Sequence, residues 1–215
     1  RKPRITYRLP PRPAERFDAP VPPSVPNPAE WLAPLAAFLE SEVDGGTLEV
    51  KNGDLTILDH GDSELFHFRS LNGRASFEDG RLELNVSSGR SDLWESLSFS
   101  GWAHTRTFQS AARLVLAGVL PRGATDLLFP DSPLRLGDSR VDLDVGFSSE
   151  NSRTFSAAFS GSAPVLTIVD KEGMTVLRGG RMEGSLHLDD GRMDASISRL
   201  AFDHPRANLT GHFHW

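Results

Sequence analysis

From Thr47 onward, apolar residues return at every second position: Leu48 and Val50, Leu55 and Ile57, then Leu82, Leu84 and Val86. The same alternation resumes at Val141, Leu143, Val145 and Phe147, and again from Leu166 to the end of the chain. A period of two sends successive side chains to opposite sides, so these runs predict strands with one apolar face. Between the first runs stand Asn52-Gly53, Asn72-Gly73 and Asp79-Gly80. Asn-Gly and Asp-Gly accept the positive φ angles of tight hairpin turns, which predicts an antiparallel meander.

Two segments carry a different period. Asn27, Pro28 and Glu30 supply an N-cap, a first-turn proline and a capping acid, and Trp31, Leu35, Phe38 and Leu39 follow at helical spacing. A short amphipathic helix is expected over about 28–42, kinked at Pro34 and ended by Gly45-Gly46. Ala124, Leu127 and Leu128 predict a second short helical segment within 121–130. The expected fold class is therefore all-β, mainly an antiparallel meander making a curved sheet or open groove, with one or two short helices.

The chain also repeats itself. Displaced by 111 positions, Leu55–Ser87 aligns without a gap on Leu166–Ser198, with nine identities in 33 positions. Leu55-Thr56-Ile57 falls on Leu166-Thr167-Ile168, Gly73 on Gly184, and Asp79-Gly80-Arg81 on Asp190-Gly191-Arg192. Matching glycines at predicted turns make the two copies alike in geometry as well as in composition. The organisation expected is a Pro-rich connector over 1–28 and a β-repeat domain over 29–215. Its copies span about 47–110 and 134–215 and are joined by the 121–130 segment. A start at Arg1 and an alternation that runs into Trp215 lead us to expect a piece of a longer protein.

Composition narrows the classes. A net charge of −6 with both signs interspersed leaves no basic stripe for a nucleic acid. The chain has no cysteine, so disulfides and zinc-thiolate sites are excluded. No run reaches the roughly 18 apolar residues of a membrane-spanning helix.

Candidate chemistry is sparse. Gly61-Asp62-Ser63 and Gly137-Asp138-Ser139 resemble the nucleophile block of GDSL-type esterases, but that block follows a buried strand of an α/β fold, and no βαβ pattern is present. Both are read as turns, and no enzymatic activity is expected. His187, His204, His212 and His214 include one His-x-His pair on a strand face, yet nothing near them has ligand spacing, and they are read as solvent-facing. Asp142 and Asp144 alternate with Val141, Leu143 and Val145 and belong to a wet strand face. No cofactor or metal is expected.

The phrase from Gly46 to Asp59, a strand, an Asn-Gly step and a second strand ending in Asp, resembles the AsmA-like proteins. Leu177-Arg178-Gly179-Gly180-Arg181-Met182-Glu183-Gly184 and the Asp190-Gly191-Arg192 that follows are similar to later strands of that family, so the likeness covers roughly 46–103 and 134–215. With the related TamB and YhdP groups, these are bacterial envelope proteins anchored in the inner membrane, whose repeated β units form a long apolar groove for phospholipid. The resemblance implies a periplasmic segment that binds or conducts phospholipid or another acyl lipid between the membranes. It also implies an anchor outside this chain and room for envelope protein partners. The face expected to meet lipid is Leu55, Ile57, Leu82, Leu84 and Val86 with Leu166, Ile168, Met193 and Ile197. The alternative is a structural or protein-interaction module, a closed β-sandwich whose apolar face is an ordinary core.

Overall fold

A computed structural model of the chain describes residues 3–8, 45–58, 64–121, 135–169, 173–190 and 192–214. Its elements are β1 (Arg4–Arg8), β2 (Thr47–Leu58), β3 (Glu64–Glu78), β4 (Arg81–Ser88), β5 (Ser96–His104) and β6 (Ser110–Val119). They continue with β7 (Arg135–Leu136), β8 (Val141–Ser149), β9 (Thr154–Val169), β10 (Met174–Asp189), β11 (Arg192–Phe202) and β12 (Ala207–His214). They form one curved, open sheet in the order β1-β2-β3-β4-β5-β6-β8-β9-β10-β11-β12, with the two-residue β7 pairing β9 beyond the end of β8. From β2 to β6 and from β8 to β12, neighbours in sequence pair antiparallel, as short connections dictate.

The repeat has a structural counterpart. Adding 111 to Leu58, Glu78 and Arg81, which end β2, end β3 and begin β4, reaches Val169, Asp189 and Arg192, which end β9, end β10 and begin β11. Asp79 and Gly80 have φ angles of 50° and 74°, and Asp190, 111 positions after Asp79, has 47°, so the turn of each copy begins with the positive φ anticipated for it. Glu78 faces Arg81 in one hairpin and Asp189 faces Arg192 in the other. The preceding hairpins differ in register. Leu48 pairs with Ala75, whereas Phe159, 111 positions on, pairs with Gly184 rather than Leu186, a shift of 186 − 184 = 2 residues. A shift of two keeps every side chain on its face.

Two expectations fail locally. Asn52-Gly53 and Asn72-Gly73 are not turns, because β2 and β3 run straight through them. Instead Asn52 (φ 51°) and Ser70 (φ 55°) lie where the β2–β3 register shifts, one extra residue on each strand. The Asn72 side chain braces this pair of bulges, its Oδ1 accepting the Asn52 amide at 2.9 Å while its Nδ2 donates to the Ser70 carbonyl at 3.2 Å. A bulge requires the same positive φ as a tight turn, and the long pairing on either side makes the bulge the cheaper outcome. The second correction concerns the connector. Residues 4–8 contain no proline, keep all their amide donors, and pair parallel with 54–58 as β1. The helix expected over about 28–42 and, apart from Pro121, the segment 121–130 lie outside the described residues.

Burial separates an open sheet from a sandwich. Phe68, Phe77, Ala157 and Ala163 are the buried apolar residues among those described, and their neighbours on the same face are only half-buried. In a two-layer sandwich the inward positions of the central strands would be almost wholly buried. The described strands therefore make one open sheet and not a closed sandwich.

Candidate functional site

The strand register assembles one apolar surface. A rung of directly opposed residues runs Leu48, Ala75, Leu84, Gly101 and Ala112, then Phe147, Ala157, Leu186, Ala195 and Phe213, from β2 to β12. The rung beside it runs Val50, Gly73, Val86, Phe99 and Leu114, then Val145, Phe159, Gly184, Ile197 and Gly211. A third, from β5 to β12, is Leu97, Leu116, Leu143, Gly161, Met182, Leu200 and Leu209. No polar side chain interrupts them.

Nine strand spacings of about 4.8 Å make the two long rungs about 43 Å, six make the third about 29 Å, and at about 6.8 Å per rung the strip covers roughly 780 Å² in projection. An ordinary soluble monomer shows apolar patches of about 300–600 Å² at most. Within the strip, large and small residues alternate across strands. At Gly184, for example, a Cβ would come within 2.4 Å of the Phe159 ring, so the missing side chain is the space that the ring fills. The ends are bare: Leu48 is 65% exposed on β2, and Leu209 and Phe213 are 58% and 61% exposed on β12.

The other face is wet. On β4 it presents Arg81, Glu83, Asn85 and Ser87, all exposed. Arg113 on β6 donates to both carboxylate oxygens of Asp144 on β8, at 2.9 and 2.5 Å. That hydrogen bond holds Asp144 below the usual carboxylate range and raises Arg113 above its ordinary value. Arg81 lies 4.4 Å over the Trp102 ring, and Ser156 contacts His187 Nδ1 at 2.9 Å.

Of the residues expected to line the apolar face, Leu84, Val86 and Ile197 stand in the two long rungs, and Leu82 and Met193 lie just beyond them, opposite Phe77 and Leu188. Leu55 pairs with Phe68, the β2 and β3 bulges together restoring the alternation. Ile57 is in β2 opposite Phe66. Leu166 and Ile168, expected on this face, are not on it: they are half-buried at the far end of β9, opposite Leu177 and Thr175, and counting by two from Phe159, Gly161 and Ala163 along a strand with no register shift places them on the other side. The copies do not lie side by side, because β5, β6 and β8 separate β4 from β9. Those strands carry the centre of the face through Phe99, Leu114 and Val145, which the repeat comparison passes over. Their period-two spacing was the signal that marks them.

The other candidates separate from any reactive site. Ser139 is 4% exposed and its Oγ accepts the Thr167 amide at 2.8 Å, so it fastens the β7–β8 turn onto β9. Ser63 lies outside the described residues. Asp142 accepts the Gly118 amide at 2.8 Å and supports the irregularity near the end of β6. His212 and His214 alternate with Phe213 on β12, and His214 contacts Asp194. Among the described residues no three His, Asp or Glu side chains converge as metal ligands.

Comparison does not assign this surface. The chain matches no family model, no curated protein and no solved structure. What the arrangement can do physically follows from its two faces alone. Among the described residues the sheet is a single amphipathic layer, and its apolar side is one to be covered by area rather than by directional bonds.

Proposed function

We propose that this chain is a segment of an AsmA-like envelope protein that holds or conducts phospholipid, or another acyl lipid, along the apolar face of its sheet. The observation that carries the reading is the pair of unbroken apolar rungs ten strands wide, half-buried and not closed into a sandwich. Acyl chains present only hydrocarbon, and each methylene removed from water contributes about 0.8 kcal/mol without needing a polar partner. A surface with no polar interruption lets a chain move from strand to strand without breaking a specific bond. The resemblance of residues 46–59 and 177–192 to AsmA-like strands points to the same class of ligand and to the periplasm.

A photo-crosslinking amino acid placed at Leu84, Leu114 or Phe159, with Asn85 and Asp144 on the wet face as controls, tests the reading. Phospholipid adducts confined to the first set are expected. Equal labelling of both faces, or no adduct on either, would remove it.

A further inference from the structure

The apolar face is finished differently in the two copies. After β4 the chain folds back through Gly89–Glu95, and the Trp94 ring stacks on Phe68 with centroids 4.8 Å apart and planes 5° from parallel. Trp94 Nε1 donates to Ser88 Oγ at 2.7 Å, and Ser88, on the same side of β4 as Leu84 and Val86, is 6% exposed. The fold-back is held at several points. Ser91 Oγ accepts the amides of Leu93 and Trp94, each at 3.2 Å, the Leu93 carbonyl accepts the Leu120 amide at 2.8 Å, and Glu95 contacts Arg140. The indole's one polar atom is already satisfied, so the ring presents hydrocarbon to whatever lies against it.

Adding 111 to 68, 88 and 94 gives Gly179, Arg199 and Pro205, so the second copy has no aromatic pair and no serine at these places. There the connection after β11 bonds Arg178 of β10 through Asp203 and His204, and the half-buried Phe202 ring lies against Gly180, 3.1 Å from where a Cβ would stand.

We propose that Trp94, seated on Phe68 and Ser88, is a blind wall of the acyl-binding face at the first copy, against which the methyl ends of bound chains stop. The proposal rests on the lipid-binding reading above. Trp94 is then a specificity-determining residue that limits chain length.

The test is fluorescence quenching in a full-length chain whose tryptophan is Trp94 alone (Trp31, Trp102 and Trp215→Phe). The chain is exposed to phosphatidylethanolamine vesicles brominated either near the acyl carbonyl or near the acyl methyl end. A reference chain carries its tryptophan at the centre of the face (Phe99→Trp with Trp94→Phe), and Val145→Trp serves if that one fails to fold. Quenching of Trp94 several-fold stronger from the methyl-end lipid, with both lipids quenching the reference, is the expected result. Trp94 unquenched, or quenched equally by both lipids, beside a quenched reference would overturn the wall and leave the groove. No quenching at either position would overturn the lipid-binding reading and the wall with it.

Discussion

Phe77 and Phe99 stand on the same side of one sheet, and truncating each measures whether that side is a core or an open surface. Phe77 is 1% exposed, and its removal should cost the full penalty of a buried phenylalanine, about 3–5 kcal/mol including the cavity left behind. Phe99 is half-buried among Val86, Leu114 and their neighbours, with no second layer of the sheet above it. Phe99→Ala therefore loses only part of the about 1.5–3 kcal/mol that fully burying such a side chain contributes, without a cavity contribution. With a urea slope of about 2–3 kcal/mol per molar, the midpoint should fall by about 1.5 M for Phe77→Ala and by less than 1 M for Phe99→Ala. Urea titrations followed by circular dichroism decide between these values. Acyl lipid should then stabilise the wild-type chain more than Phe99→Ala, because only the state with the intact face binds it. Equal losses for the two substitutions would mean that Phe99 is an ordinary core residue, and would refute the argument that this face is kept open.

Other expectations are more local. Gly101→Val should destabilise by about 1–3 kcal/mol in the same titration, since its Cβ would come within 2.5 Å of the Ala112 Cβ and 2.9 Å of the Ala111 carbonyl on β6. Ser139→Ala strands the buried Thr167 amide that its hydroxyl accepts and should cost about 1–3 kcal/mol, with faster hydrogen exchange at Thr167 as the specific sign. For the Arg113–Asp144 pair the folded pKa of Asp144 lies below its unfolded value, so any contribution is present above the ordinary carboxylate range and is lost as pH falls through the folded value. Asp144→Asn should accordingly flatten the acid side of the stability profile. The effect should be small and weakened by salt because the pair is exposed, and an unchanged acid limb would dismiss the pair as a contributor.

The apolar alternation was legible in the chain because side-chain direction in a strand depends only on counting by two. It marked Leu82, Leu84, Val86, Met193 and Ile197 correctly as members of one face. The two Asp-Gly turns were legible for a similar reason, their φ preference being local. Asn52-Gly53 and Asn72-Gly73 were misread because a bulge and a turn ask the same of the backbone. Whether the chain bends sideways or doubles back depends on which strand pairs on the far side. Leu166 and Ile168 show the limit of reasoning from a repeat: the bulge at Asn52 resets the alternation in β2 and β9 has no such bulge, so matching letters fall on opposite faces of the sheet.

By itself the sequence determined an all-β meander, two faces of opposite polarity and a duplicated segment, since each follows from local spacing, turn chemistry or direct comparison. Only the tertiary structure decided that the duplicated units stand apart, that β5, β6 and β8 bridge them with Phe99, Leu114 and Val145, and that the sheet does not fold over its own apolar side. The physical reason is that register and closure are properties of pairs of strands distant along the chain. A period of two states which residues share a side and leaves open what, if anything, covers it.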